Sequence, residues 1–492
     1  MKRILISLLI ISLGIVQLNG QEINTSVEKV YVVFKTHLDV GFTDLSSVVT
    51  QRYITEFIPK ALDVSEKLRA ENASEKYVWT TGAWLIWKYL HTASPKEVER
   101  LETAIRRGDI VWNSVPYTVE SESMNRDLFE TCLLLSHKLD EKYGKKTIAA
   151  KMTDVPGHTR SIVAPMSRAG IRFLHIGVNP ACPIPSVPEF CRWRDTDGSE
   201  LILVYQQDYG SENILPGGKA VISINFTGDN HGPHPYEKVK AIYADLHKRY
   251  PKARLIASSF NEIAEELIAM QDQLPIVTSE IGDTWIYGYG SAPIRMAKFR
   301  ALSELYSLWL REKKIDKNSD AALDFALELG LIAEHTQGVD VKTHLHNWDK
   351  YDTDLFLPAR STAPFRKAEA SWKELDDYIY NAIQYLPQHL QAEALAKMKE
   401  IDQPVVPVFT EKAQSVSSTP WQAAVLKKGA LKLEGLSYQM YDAADYKQYL
   451  DNYLRAHYGW ALADIGKPGL DKSKAVSVSL SAQTIKQEVR KE

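Results

Sequence analysis

The chain has 492 residues, 45% of them hydrophobic, 25% charged and 10% aromatic, and 59 Lys and Arg stand against 62 Asp and Glu for a formal charge of −3. That composition excludes a mostly disordered, collagen-like or polytopic membrane chain, and without a basic excess a nucleic-acid partner is not expected. The length suits two or three ordinary domains, or one large α/β unit with an appendage.

Residues 1–20 (MKRILISLLIISLGIVQLNG) join a basic start, Lys2-Arg3, to a short apolar run with a small residue before Gln21. This is the pattern of a cleaved signal peptide, with an uncleaved anchor as the alternative. The chain is therefore expected to be exported, periplasmic or extracellular, with no membrane contact after cleavage. Next, 30–34 (VYVVF) is a continuous apolar, β-branched run suited to a strand buried on both faces, as in a parallel sheet. Helical spacing follows over 54–68, strand patterning over 77–81, and a helix over 95–108 capped by Ser94 and stopped by Gly108. Strand 109–114, helix 126–143 and strand 147–152 continue the alternation. Residues 173–176 and 201–205 read as strands separated by Pro-rich loop. Residues 221–226, 236–250 and 255–258 form a βαβ-like passage, and 262–274 is helical.

Beyond Gly290 the strands stop. Helical patterns cover 294–313, 321–335, 363–385 and 388–399, a linker composition covers 402–418, and 429–438 holds one or two short strands. The expected organisation is a signal peptide (1–20), an α/β catalytic domain with a parallel-stranded, β/α barrel-like sheet (21–290), a helical bundle (291–400), and a linker with a truncated, partly β C-terminal segment (401–492). Three cysteines are too few for a disulfide scaffold. Cys182 and Cys191 share a Pro-rich loop and could pair, whereas Cys132 falls within a helix pattern and reads as a buried thiol.

Polar clusters recur just past the strands. Thr36-His37-Leu38-Asp39-Val40-Gly41-Phe42 ends the first strand, where i and i+2 side chains share a face, so His37 and Asp39 project together as a mixed N/O pair suited to a divalent ion. A hydrogen-bonded polar loop is the plain alternative. Met152-Thr153-Asp154-Val155-Pro156-Gly157-His158-Thr159 ends another strand and also reads as a Pro-Gly turn. Thr227-Gly228-Asp229-Asn230-His231-Gly232-Pro233-His234 follows a third and also reads as a Gly-rich surface turn. Glu334-His335-Thr336 closes a bundle helix pattern, where a His is commonly a C-terminal cation. Binding and catalytic groups of α/β folds gather at the carboxyl ends of strands, which gives three such clusters together more weight than any one alone.

Together these segments resemble the catalytic region of glycoside hydrolase family 38, the retaining α-mannosidases. His37-Leu38-Asp39-Val40-Gly41-Phe42 resembles its H-x-D-x-G-W, and Asp154-Val155-Pro156-Gly157-His158-Thr159 its D-P-F-G-H-S. Gly228-Asp229-Asn230-His231-Gly232-Pro233 is similar to a bacterial form of its acid segment, and Glu334-His335-Thr336 to its H-H-D. Fainter echoes lie at 83–87, 107–112 and 189–199. The resemblance implies one Zn2+ per chain held by His37, Asp39, Asp154 and His335, with Asp154 as nucleophile and Asp229 as general acid. It further implies sugar contacts from Phe42, Trp84, Tyr117, His158 and Thr336, and a glycan or oligosaccharide as substrate. Thr336 stands where the family has Asp, and Phe42 where it has Trp. Asp283 is a rival acid, and His231, His234, His344 and His346 are rival ligands. Other classes to weigh are a non-catalytic carbohydrate-binding relative and a metal-dependent carbohydrate deacetylase. The family usually continues through large β-rich domains, for which 401–492 is short.

Overall fold

The structure is a computed structural model that describes residues 23–182, 184–282, 285–345, 353–403, 426–428, 431–433, 437–438, 443–453, 461 and 480–481. The expected signal peptide, Asp283, His346 and most of the expected linker lie outside the described residues. In chain order the elements are β1 (Lys29–His37), α1 (Ser46–Arg52), a π-helical turn (Tyr53–Phe57), α2 (Ile58–Ala70), β2 (Trp79–Gly82), α3 (Ala83–Thr92), α4 (Pro95–Arg107), β3 (Ile110–Asn113), α5 (Arg126–Tyr143), β4 (Ala149–Asp154) and α6 (Val163–Arg168). There follow β5 (Phe173–Val178), β6 (Phe190–Arg194), β7 (Glu200–Gln207), β8 (Glu212–Ile214), β9 (Ala220–Asp229), α7 (Tyr236–Arg249), β10 (Arg254–Ser258), α8 (Phe260–Ala269) and β11 (Ile276–Val277). The remaining helices named here are α9 (Pro293–Arg311), α10 (Asp320–Gly330), α11 (Val341–His344), α12 (Thr353–Ala359), α13 (Ala363–Tyr385) and α14 (Gln388–Asp402).

The strands make two sheets. One runs β3-β2-β1-β9-β8, with β10 also paired to β1; the other runs β11-β6-β7-β5-β4. The strand orders are open paths, without a closed ring of paired strands, and each sheet contains one reversal. Antiparallel β6 pairs with one edge of β7 and antiparallel β8 with one edge of β9. All other pairs in the two sheets are parallel. The sheets abut where Ser114 N donates to Ala149 O at 3.0 Å.

The period of two along β1 explains the interior. Val30, Val32 and Phe34 join the large core beneath the helices; Phe34 meets Tyr77, Tyr243 and His234 edge-on or tilted. Tyr31 and Val33 point the other way, into a second cluster between the sheets that includes Phe173, Val204 and Ile222 and is plugged by Phe260, Ile263 and Leu267 of α8. Above that plug the interior turns polar. Lys35 Nζ, fully buried, donates to Thr153 Oγ1 at 3.3 Å, and burial pushes its pKa well down. His37 comes next on the same face, at the carboxyl end.

The large core continues past residue 290: α5 lies against α9 and α10, and α10 against α13. The caps follow the expected chemistry. Ser94 accepts from Glu97 N to start α4, and Gly108 at φ 79° ends it. Cys182 and Cys191 do not pair: both are buried thiols, and Cys182 Sγ accepts from Trp285 Nε1 at 3.2 Å. Among the described residues, no helix is long and apolar enough to cross a membrane.

Candidate metal and carboxylate site

Four buried side chains converge at the carboxyl edge of the sheets. His37 ends β1, Asp39 follows two residues later, Asp154 ends β4, and His335 arrives from the segment after α10. His37 Nε2 lies 3.0 Å from Asp39 Oδ1 and 3.8 Å from Asp154 Oδ2, and His335 Nε2 lies 3.1 and 3.5 Å from the same oxygens. The two Nε2 atoms are 3.3 Å apart. One ligand atom from each of the four lies within 4.8 Å of all the others, the one such grouping of His, Cys, Asp and Glu among the described residues.

The donor set fits a divalent cation. Two imidazoles and two carboxylates carry a charge of about −2 in their ligating forms, and mixed N/O sets of four suit zinc. Asp39 Oδ2 and His37 Nδ1 are buried without a hydrogen-bond partner, a state that costs free energy unless something else answers it. Behind His335 stands Glu334, 1% exposed, with Oε1 2.7 Å from Nδ1 in a close ionic approach outside hydrogen-bond geometry. A carboxylate behind a ligating imidazole is a common way to fix its orientation and raise its basicity. Burial opposes a proton on His335, but Glu334, Asp154 and Asp39 outweigh it and hold its pKa well above the ordinary His value.

Asp154 uses its two oxygens differently. Oδ2 faces the imidazoles, whereas Oδ1 accepts from the Tyr209 hydroxyl at 2.5 Å and from Asn179 Nδ2 at 2.8 Å. The residue sits at φ 90°, a conformation that costs roughly 1–3 kcal/mol outside glycine and persists where the surroundings impose it. Burial would raise its pKa; the His335 contact and the His37 and His335 charges win and lower it, so this carboxylate stays ionised. Asp229 is the opposite case. It pairs with His37 across the β1–β9 ladder, and its Oδ1 is buried without a partner. Burial first, then the Asp39 and Asp154 charges, push it up to about 6 against the pull of His37 and His335.

His335 is not on a helix, contrary to the sequence pattern. The helix α10 stops at Gly330, and Glu334 then bridges Val119, with Glu120 N donating to Ala333 O at 2.8 Å and His335 N to Thr118 O at 3.3 Å. The last helical position requires glycine: a Cβ on Gly330 would lie 2.4 Å from the Tyr117 hydroxyl.

The expected sugar contacts divide. Phe42 is half-exposed, at φ 58°, tied to Gly338 O and Asp340 N, with Lys342 Nζ 5.2 Å from its ring centre. His158 is fully buried, with Nδ1 3.3 Å from Ser121 Oγ and Nε2 unpartnered. Tyr117 and Trp84 belong to the core and pack edge to face; the Tyr117 hydroxyl is committed to Leu327 O at 2.8 Å. Thr336 is buried too, its N and Oγ1 donating to Glu334. In these three the polar atoms of Tyr117 and Thr336 bond to the protein itself, and Trp84 is 2% exposed. The rival ligands His231 and His344 bond to Thr227 O and Thr43 O, and His234 packs on Phe34. Asn179, Tyr209, Asn230 and Glu334 carry no expected role in the sequence, yet all line or brace the cluster. The first two follow β5 and β7, so the strand-end rule that picked out Asp154 would have found them.

Comparison with known proteins adds the following. Residues 289–492 match a family model described as Domain of unknown function (DUF5054), under half of the chain. No curated protein matches. Among solved structures, the chain is similar to an alpha-mannosidase from Enterococcus faecalis V583 (16% identity, TM-score 0.49, covering 76% of this chain and 43% of that one). It is also similar to a protein in the Glycosyl Hydrolase Family 38 from Enterococcus faecalis (14%, TM-score 0.45, 77% and 41%) and to a 4-alpha-glucanotransferase from Thermococcus litoralis (13%, TM-score 0.40, 73% and 60%). The chain thus spans less than half the length of the first two.

Proposed function

We propose that this chain is an exported, zinc-dependent retaining glycosidase of α-mannosidase-like type, acting on terminal α-linked sugars of glycans. The observation that carries the reading is the contrast between two neighbouring carboxyls. Asp154, inside the four-residue ligand set, has its pKa lowered by the His335 contact and the His37 and His335 charges, while burial and the neighbouring carboxylates push metal-free Asp229 up to about 6 with its Oδ1 buried and unpartnered. Retaining glycosidases need one carboxyl of each kind.

In this reading Asp154 attacks the anomeric carbon, and Asp229 gives its proton to the departing glycosidic oxygen. Asp229 then takes a proton from the water that releases the sugar from Asp154. Tyr209 and Asn179, bonded to Asp154 Oδ1, orient the nucleophile and spread its charge. The Phe42 ring offers an apolar face for the sugar, with Lys342 beside it. His37, Asp39, Asp154 and His335 would hold the ion, which when bound supplies Lewis acidity toward sugar hydroxyls and a fixed positive charge.

Metal analysis of the purified chain together with release of a chromogenic α-mannoside tests this. About one zinc per chain and loss of turnover in Asp154→Ala are expected. A folded chain that takes up no divalent ion, or an Asp154→Ala variant as active as the parent, refutes it.

A further inference from the structure

We propose that Asn230 is a positioning residue that locks the acid-bearing loop to the ligand-bearing loop, so that Asp229 and the His37–Asp39 pair are placed as one unit. The assignment of roles to those residues rests on the reading of the site given above.

The backbone ladder fails where the chemistry begins. The strands β1 and β9 run in regular register from Lys29–Ala220 to Lys35–Phe226, then shift before His37 meets Asp229. Asn230 takes over from that point. Its N donates to His37 O at 3.1 Å, and its Oδ1 accepts from Asp39 N at 3.1 Å. Its Nδ2 reaches Asp39 O and Gly41 O at 3.1 Å and Thr43 Oγ1 at 3.0 Å. The Tyr53 hydroxyl, with one proton to give, stands 3.4 Å from Asn230 Oδ1 and 3.1 Å from His37 O. The residue is 3% exposed.

An Asn in a left-handed turn, here at φ 50°, commonly bonds its own turn. This one does not: its side-chain partners at Asp39, Gly41 and Thr43 lie 187 to 191 positions away in sequence. The arrangement also demands amide chemistry. The pocket offers one N–H and at least two carbonyls to a single planar group, so it needs an acceptor on one side and donors on the other. Aspartate would set a second acceptor against Asp39 O and Gly41 O, and a longer side chain would not fit the same points.

Three variants of the full chain test this: Asn230→Gly, which suits the left-handed backbone, Asn230→Asp, which keeps the shape, and the milder Thr43→Ala. Amide hydrogen exchange without added metal should speed up at 38–43 by about tenfold or more in the Asn230 variants, less in Thr43→Ala, and stay unchanged in β4. Zinc affinity, measured by competition with a chromophoric chelator, should fall roughly 10–100-fold. On a chromogenic α-mannoside, kcat should drop by about 100-fold with KM little changed, since misplacement by about 1 Å is enough. Wild-type exchange at 38–43 together with wild-type zinc affinity in Asn230→Gly overturns the proposal. If the parent chain binds no zinc and turns over no glycoside, the functional reading fails, and the exchange pattern still decides whether Asn230 couples the two loops.

Discussion

Substituting Asn for Asp229 keeps the side chain's shape and removes its charge, which makes a prediction about stability as well as turnover. The rise from the ordinary 3.8 to about 6 is a little over two units, and at about 1.36 kcal/mol per unit it represents roughly 3 kcal/mol. The sign follows from linkage. A carboxyl with a raised folded-state pKa holds its proton more tightly in the folded chain, so folding stability is lost as pH rises from about 4 through about 6. In metal-free protein Asp229→Asn should therefore be more stable than the parent by about 3 kcal/mol near pH 7.5, and by only about 1 kcal/mol near pH 4.5. Thermal melts in chelator at the two pH values read the effect as a positive, pH-dependent shift of the midpoint. The same variant should lose about 100- to 10,000-fold in turnover, the usual weight of a general acid. A variant less stable than the parent at both pH values would refute the argument that burial and the Asp39 and Asp154 charges strain this group.

Three further outcomes are expected. Because His335 holds a proton above the ordinary range and must release it to bind an ion through Nε2, zinc uptake should release protons and weaken as pH falls. His335→Ala should lower zinc affinity by about 100-fold or more, with unchanged chelator competition as the contrary result. Tyr209→Phe removes one of two donors to Asp154 Oδ1, a loss of about 1.5–3 kcal/mol to the ionised form; the acidic limb of kcat/KM should move to higher pH, and a fixed limb would count against it. Gly330→Ala forces a methyl against the Tyr117 hydroxyl and should cost about 1–3 kcal/mol. Combining it with Tyr117→Phe should restore much of the melting midpoint, and no recovery would show that the clash is not the cause.

Much of this architecture was legible because it depends on local rules. The run 30–34 announced a strand buried on both faces, and β1 is one. Ser94 and Gly108 marked the ends of α4. The strand-end polar clusters pointed to His37, Asp39 and Asp154, which the fold gathers. What escaped depends on distant partners. The pattern over 321–335 is apolar enough to extend a helix, but 333–335 instead bond to the distant backbone of Thr118 and Glu120, partners the local pattern does not show. Helix α3 was missed because 83–92 is apolar nearly all round, a pattern with little period. Strand β6 was hidden in a Pro-rich stretch, and it runs antiparallel to β7. The burial of Trp84 and Tyr117 was not legible either, because an aromatic in a motif gives no hint of whether its face is covered by the rest of the chain.

His335 comes to the cluster from 298 positions beyond His37, on a segment that follows α9 and α10, both packed against α5. All three cysteines are thiols, so a divalent ion would add a coordinate tie to the Phe42–Val339 backbone bridge that already joins the two ends of this loop. By chain entropy, a clip closing a loop of that length is worth on the order of 5 kcal/mol. Chelation would then act as a mechanical release as well as a chemical one: with the tie gone, the segment carrying His335 would be held by packing, by backbone bonds such as Phe42 N to Gly338 O and His335 N to Thr118 O, and by ion pairs such as Lys367 with Asp44.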